Sequence, residues 1–206
     1  MNFVGIIPAR YGSTRFPGKP LADIGGKPMI QRVYERARAV LERVWVATDD
    51  ARIEQAVSAF GGKAIMTSRS CASGTDRCGE AAAELRSRTG NPFHVVINIQ
   101  GDEPVFHAEM LEKLMGSFRD ETTEIATLVN PITEPAEVFD PGEVKVVFTR
   151  QRNALYFSRS MIPYLREADR DWLDRHRYYR NVGIYAYRTN VLQAIRRQLR
   201  GTFDVA

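Results

Sequence analysis

Three cations gather near the amino end of this 206-residue chain: Arg10, Arg15 and Lys19, within Pro8-Ala-Arg-Tyr-Gly-Ser-Thr-Arg-Phe-Pro-Gly-Lys-Pro-Leu21. Gly12 and Gly18 permit tight turns and close backbone approach. Pro17 and Pro20 restrict the segment, so less ordering entropy is lost when it binds something. Exposed amides beside three cations make a site for a polyphosphate. The spacing of Gly12 and Gly18 is longer than a P-loop allows, and Pro20 stands where a P-loop needs Ser or Thr. No G-x-G-x-x-G is present, so a dinucleotide fold is unsupported. The bland alternative is a solvated loop with scattered basic residues.

A second group of polar residues, Gln100-Gly-Asp-Glu-Pro104, ends the apolar run Phe93-His-Val-Val-Ile-Asn-Ile99. A carboxylate at a strand end with Gly beside it can hold Mg²⁺ against a phosphate. Asp102 suits this better than Glu103, which precedes a proline; the plain alternative is a turn. A third segment, Ser73-Gly-Thr-Asp-Arg77, opens a helical pattern. Ser73 or Thr75 can cap that helix, or the segment's amides and Arg77 can meet a ligand at the helix N-terminus.

The elements that must position these groups follow from the apolar pattern. Phe3–Ile7, Val44–Thr48, Lys63–Thr67 and Phe93–Ile99 read as strands, the first and fourth apolar enough for a buried parallel sheet. Helices are expected from Pro28 as the first helical residue, after a cap at Asp49-Asp50 as far as a stop at Gly61, and from Ser73 through Leu85. This alternation places the Pro8–Leu21 segment at the first crossover, on the carboxyl side of the first strand, where open α/β sheets bind ligands. The alternation then changes. A helix around Met110 to Phe118 is followed by strands at 125–129, 144–148, 154–158 and 182–187, with Pro131, Pro135 and Pro141 breaking one connection. A last helix spans Asn190 to Leu199.

Composition is ordinary for a globular domain, and the length suits one domain with at most a small lobe. The net charge of +4, with Arg outnumbering Lys, fits an anionic substrate. No long basic run or aromatic-basic motif marks a nucleic-acid binder. Cys71 and Cys78 have no zinc spacing and make no disulfide framework, which suits a reducing cytosol. The chain enters a strand at once, without a leader or a run long enough for a membrane span.

The order of these motifs resembles the 3-deoxy-manno-octulosonate cytidylyltransferase (CMP-Kdo synthetase) family. The resemblance runs from Phe3 to the end. It rests on Ile7 to Leu21, Val46-Ala-Thr-Asp49, Ser73-Gly-Thr-Asp-Arg77, Asn98-Ile-Gln-Gly-Asp-Glu-Pro104, Ala154-Leu-Tyr-Phe-Ser-Arg159 and Gly183-Ile-Tyr-Ala-Tyr-Arg188. It implies an α/β, Rossmann-like nucleotidyltransferase (GT-A-like) three-layer fold with a mixed, mainly parallel sheet and a small dimerisation and sugar-binding lobe. As a single domain over 1–206, the nucleotide-binding part would be 1–130 and the sugar-binding, dimer-contact part 131–188. The enzyme would be cytoplasmic, homodimeric and Mg²⁺-dependent, joining CTP and 3-deoxy-D-manno-octulosonate (Kdo) into CMP-Kdo and diphosphate for lipopolysaccharide synthesis, without nucleic acid or membrane as partner. By carry-over, Arg10, Ser13, Arg15 and Lys19 would grip the triphosphate beside Pro8 and Ala9. Ser73 and Arg77 would meet the cytosine, and Asp102 would hold the metal. Gln100, Arg159, Asn181 and Tyr185 would line the sugar pocket.

Two departures bear on substrate and turnover. Asn181 stands where the family usually has His, which keeps a hydrogen-bond donor but carries no proton charge. That leaves a related ulosonic acid, such as an 8-amino Kdo analogue or a sialic-acid-like sugar, as the alternative substrate. The family also continues past the position of Ala206 with a Glu-Gln-containing helix and a later Asp. Either these residues are part of a longer chain or the metal and sugar sites are half built, and weak or absent turnover is expected of these 206 residues. A GT-A-like glycosyltransferase using Gly101-Asp-Glu103 is the rival chemistry; the triphosphate segment opposes it, and diphosphate release separates the two.

Overall fold

The computed structural model describes residues 1–12, 16–90, 93–166 and 172–202, with side chains as far as 198. Its elements are β1 (Phe3–Ala9), a 3-10 turn (Lys19–Leu21), α1 (Met29–Arg38), β2 (Val44–Thr48), α2 (Ala51–Ala59), β3 (Ala64–Met66), α3 (Gly74–Thr89), β4 (Val95–Asn98) and α4 (Glu109–Ser117). They continue with β5 (Ile125–Pro131), α5 (Pro135–Phe139), β6 (Lys145–Phe148), β7 (Ala154–Ser158), α6 (Trp172–Arg175), β8 (Tyr179–Arg188) and α7 (Thr189–Thr202).

The chain divides into a larger unit, Met1–Ala126 with Ile184–Ala206, and a smaller unit, Thr127–Gly183. In the larger unit β3, β2, β1 and β4 pair in parallel, in that order. Residues 185–188 of β8 run antiparallel to β4, with Asn98 opposite Tyr185. The sheet is therefore mixed and mainly parallel.

Side-chain alternation builds the layers on it. Val4, Ile6 and Val96 share one face with Cys78, Ala81, Ala82 and Leu85 of α3 and Leu192 of α7, all buried. Ile7 faces the other way, toward Ile30 of α1, and Phe3 meets Phe118 edge-on at 6.4 Å. Burial of both faces explains why β4 (Val95-Val-Ile-Asn98) has no exposed residue.

In the smaller unit β6 pairs antiparallel with β7 and, at Lys145–Arg180, with β8. Ile132, Val138 and Tyr178 form its core. Lys145 is fully buried there, its Nζ donating to the carbonyls of Asp140 (2.7 Å) and Glu143 (2.8 Å).

Local chemistry sets the helix ends. Asp50 caps α2, its carboxylate accepting from Arg52 N (3.0 Å), and Gly61 follows the helix with φ of 76°. Asp50 also grips the Arg52 guanidinium through Nε (2.9 Å) and Nη2 (2.6 Å). These bonds hold its carboxyl well down, at about 2. An NMR pH titration is expected to show this depressed midpoint, and Arg52→Ala to move it up toward 3.8. The sign follows: the interaction is complete above the unfolded value and is lost as pH falls toward 2.

Several boundaries differ from the sequence expectation. Pro28 is the cap residue and α1 starts at Met29. Helix α3 runs to Thr89, four residues beyond Leu85, and stops at Gly90 in the left-handed region. The connection holding Pro135 contains α5, with Pro135 in the first turn where its missing N–H costs nothing.

Candidate active site

The larger unit's sheet has its topological switch between β1 and β4. The chain runs from β1 outward to β2 and β3, then returns to the other side of β1 for β4. A crevice opens at the carboxyl ends of such strands, and a cleft of about 600 Å³ lies there. Three connections build its walls: the segment after β1, the residues before α3 and the turn after β4. Pro8, Ala9, Arg10, Lys19, Ser73, Arg77, Gln100 and Asp102 all line it, so three separate sequence motifs meet in one site. Ser13 and Arg15 lie outside the described residues.

Close backbone approach holds the strand ends together. A Cβ on Gly101 would stand 2.9 Å from the Pro8 carbonyl oxygen, a fixed backbone atom. Gly101→Ala is therefore expected to part the ends of β1 and β4 and raise the dissociation constant for CTP about tenfold, at an overpacking cost of about 1–3 kcal/mol. Titration calorimetry measures it.

Lys19 enters the cleft from the 3-10 turn and donates to Asp102 Oδ2 at 2.7 Å. Arg10 is exposed on the rim, at the end of β1. The cations and the carboxylate thus share one cleft, as the residue types suggested.

Ser73 is the helix cap that its type allowed, and Arg77 has structural partners of its own. Ser73 caps α3, its Oγ accepting from Asp76 N at 3.1 Å. The start of α3 thus lines the cleft through Ser73 and Gly74. Arg77 is buried, and its guanidinium donates to Thr67 Oγ1 (2.6 Å) and Asp49 Oδ2 (2.8 Å). Those donors tie the ends of β2 and β3 to α3, and Arg77 lines the cleft from this fixed position.

A further network carries the residues before α3, and no sequence motif announced it. Asp76 Oδ2 accepts from Ala72 N (3.2 Å) and Glu80 Oε1 from Ser68 N (2.6 Å). Both carboxylates accept from the one guanidinium of Arg196 of α7, Nε to Asp76 at 3.0 Å and Nη2 to Glu80 at 2.8 Å. The one signal available was two acidic residues at helical spacing on a face otherwise apolar.

Neither cysteine is poised as a thiolate at neutral pH. Burial, with the Glu80 carboxylate beside it, pushes the Cys71 thiol up to about 11, and burial pushes Cys78 higher still. Among the described residues no group of three or more His, Cys, Asp or Glu could by itself hold a metal ion. Mg²⁺ commonly takes one or two carboxylates and completes its shell with phosphates and water. Asp102, about half exposed in a cation-rimmed cleft, fits that kind of site.

The residues expected around the sugar divide between the units. Gln100 lines the cleft, and Tyr185 on β8 packs against the core and stacks on Tyr187 at 6.1 Å. Arg159 and Asn181 belong to the smaller unit. Arg159 Nη1 donates to the carbonyl of Pro141 at 2.7 Å, and Asn181 Oδ1 accepts from Thr127 Oγ1 at 3.0 Å.

Residues 4–200 match the cytidylyltransferase family. A 3-deoxy-manno-octulosonate cytidylyltransferase of Bacteroides thetaiotaomicron is 53% identical over 210 residues, covering 100% of this chain and 82% of the relative. The chain belongs to the 3-deoxy-manno-octulosonate cytidylyltransferase family. Within reach of the family lies an 8-amino-3,8-dideoxy-manno-octulosonate cytidylyltransferase of Shewanella loihica, 49% identical over 191 residues, 91% of this chain and 75% of the relative. Among solved structures, a CMP:2-keto-3-deoxy-manno-octonic acid synthetase complexed with CTP superposes with a TM-score of 0.83. It is 51% identical and the match covers 94% of this chain and 76% of that one. The family's α/β fold with a mixed, mostly parallel sheet is the fold described above. Among the described residues no helix is long and apolar enough to cross a membrane.

Proposed function

We propose that this protein transfers the cytidylyl group of CTP to Kdo, giving CMP-Kdo and diphosphate, and so activates the sugar for lipopolysaccharide synthesis. The observation that carries the reading is the cleft at the carboxyl ends of β1 and β4, lined by Arg10, Lys19, the start of α3 and Asp102, with Lys19 bonded to Asp102, in a chain half identical to a synthetase complexed with CTP. The anomeric 2-hydroxyl of Kdo attacks the α-phosphorus. That hydroxyl gives up its proton, the new O–P bond forms, and the bond to the diphosphate oxygen breaks in line.

Both substrates are anions, so their repulsion has to be screened before the reacting atoms can meet. Arg10 and Lys19 bind the phosphate chain and stabilise charge on the departing diphosphate. Ser13 and Arg15 are assigned to the same phosphates. Ser73 and Gly74 hold the base end at the helix N-terminus, with Arg77 beneath. Asp102 would hold Mg²⁺, which would supply positive charge against the phosphates. By the family resemblance Gln100, Asn181 and Tyr185 are assigned to the sugar, and Arg159 to its carboxylate, for which a guanidinium can be a two-pronged donor and a Lys cannot. Catalysis then comes from positioning and fixed charge.

The protein acts in the cytoplasm as a homodimer. Two free cysteines suit that compartment, and exposed Leu155 and Tyr156 on the edge strand β7 suit contact with a second copy. The reading is tested by diphosphate release with CTP, Mg²⁺ and a panel of sugar acids. Release with Kdo and CTP above every other nucleotide supports it. Preference for 8-amino-3,8-dideoxy-manno-octulosonate would instead favour the second reading, which Asn181 and the Shewanella relative support. Light scattering reads the oligomeric state.

A further inference from the structure

Arg10 and Lys19 stand on either side of a small structure that the reaction does not explain. Tyr11 follows Arg10 and Gly18 precedes Lys19, and the Gly18 N–H donates to the Tyr11 carbonyl at 2.9 Å. This bond brings together the two backbone positions from which the cleft cations project. Gly18 has φ of 74°, and a Cβ there would come within 3.0 Å of the Tyr11 ring. The ring therefore lies directly against the Gly18 backbone, an approach that glycine alone permits.

The same ring carries the guanidinium of Arg52, whose central carbon is 3.3 Å from the ring centroid. Arg52 is outside the cleft, in the first turn of α2. Its planar group is not free to wander. Asp50 holds it in a two-pronged grip, and Asp50 is itself fixed as the cap of α2. Rigid helix, Asp50, Arg52, Tyr11 and Gly18 thus form one connected line of contacts ending at Lys19.

We propose that the Arg52–Tyr11 stack is a positioning device for nucleotide binding, which fixes Tyr11 against Gly18 and so presets Arg10 and Lys19 for the phosphates. The proposal rests on the nucleotide reading of the cleft. Ordering two cationic side chains before the ligand arrives removes part of the entropy cost of binding. Arg is needed because only its plane can stack on the ring and donate two parallel bonds to the Asp50 carboxylate together; Lys keeps the charge and loses the planar stack and the fork. Arg52 touches no substrate and acts through Tyr11.

The test is titration calorimetry of the 206-residue chain with CTP and Mg²⁺ and, separately, with inorganic triphosphate. Arg52→Ala is expected to weaken both ligands about five- to tenfold, from the loss of a cation–π contact and of preset geometry. Arg52→Lys is expected to weaken them at least about threefold. Tyr11→Phe keeps the ring and binds as the unaltered chain does, whereas Tyr11→Leu matches Arg52→Ala. The double variant Arg52→Ala/Tyr11→Leu loses no more than either single change, because one contact is removed twice. Arg52 is exposed, so its variants fold. Arg52→Lys binding like the unaltered chain would reduce the effect to distant charge and overturn the proposal, as would unchanged binding in Arg52→Ala or full additivity in the double variant. If the unaltered chain binds neither CTP nor triphosphate, the reading of the cleft falls and takes the proposal with it; if it binds both and Arg52→Ala is unaffected, the proposal falls alone.

Discussion

Asp102→Asn is expected to weaken CTP binding in the presence of Mg²⁺ and to strengthen it when the metal is chelated. The reversal follows from charge alone. Asp102 is a carboxylate in a cleft that Arg10, Lys19 and Arg77 also line. Facing a bare triphosphate it is repulsive, and it competes for Lys19, which it holds at 2.7 Å. Removing its charge relieves both effects. With Mg²⁺ bound as proposed, the same charge would anchor the cation against the phosphates. In turnover the change should cost roughly 10²- to 10³-fold in kcat/KM, the range for losing one fixed group aimed at developing charge. Stability should hardly move, because a half-exposed ion pair contributes about 0–1 kcal/mol. Calorimetry with magnesium or EDTA, beside a urea melt, reads all of this. A variant weakened equally in both conditions, or unchanged in both, would show that Asp102 is not the metal's anchor.

Arg196→Ala is expected to cost about 3–5 kcal/mol, the largest stability loss foreseen for one change on this chain. Arg196 lies on α7, yet its guanidinium holds Asp76 and Glu80 of α3. Asp76 is 2% exposed at its side chain, so without Arg196 a carboxylate is left charged in the interior beside weaker partners. The exposed neighbour Arg197 supplies the control, since surface changes stay within about 0.5 kcal/mol. Urea denaturation midpoints compare the two. An Arg196→Ala loss no greater than that of Arg197→Ala would refute the account. The damage should also reach the cleft, because Asp76 and Glu80 hold the backbone at Ala72 and Ser68.

The parts of the fold carried by local pattern were legible. Apolar runs marked β1, β2 and β4 because both faces of those strands are buried. Asp50 and Gly61 showed in their types because caps depend on near neighbours. The cleft was legible too: Arg10, Lys19, Ser73, Gln100 and Asp102 all follow strands whose carboxyl ends meet at one place. What escaped the sequence depends on distant partners. Arg77 reads as a ligand donor until its bonds to Asp49 and Thr67 are seen. Arg196 is one arginine among many until α7 lies on α3, and Arg52 is a surface residue until Tyr11 lies under it. Lys145 sits in a run that alternates like a half-buried strand, and nothing nearby says that its ammonium is enclosed by two carbonyls.

The antiparallel pairing of β4 with the last residues of β8 bears on how this protein is made. Until the ribosome has passed residue 188, the outer edge of β4 waits without its neighbour. That edge belongs to a wholly apolar strand, Val95-Val-Ile, followed by Asn98. A nascent or prematurely stopped polypeptide therefore displays a sticky ribbon of unpaired backbone, the usual seed of intermolecular clumping. Stalling between these two strands, more than any lesion in the cleft, is where the cell would need a chaperone.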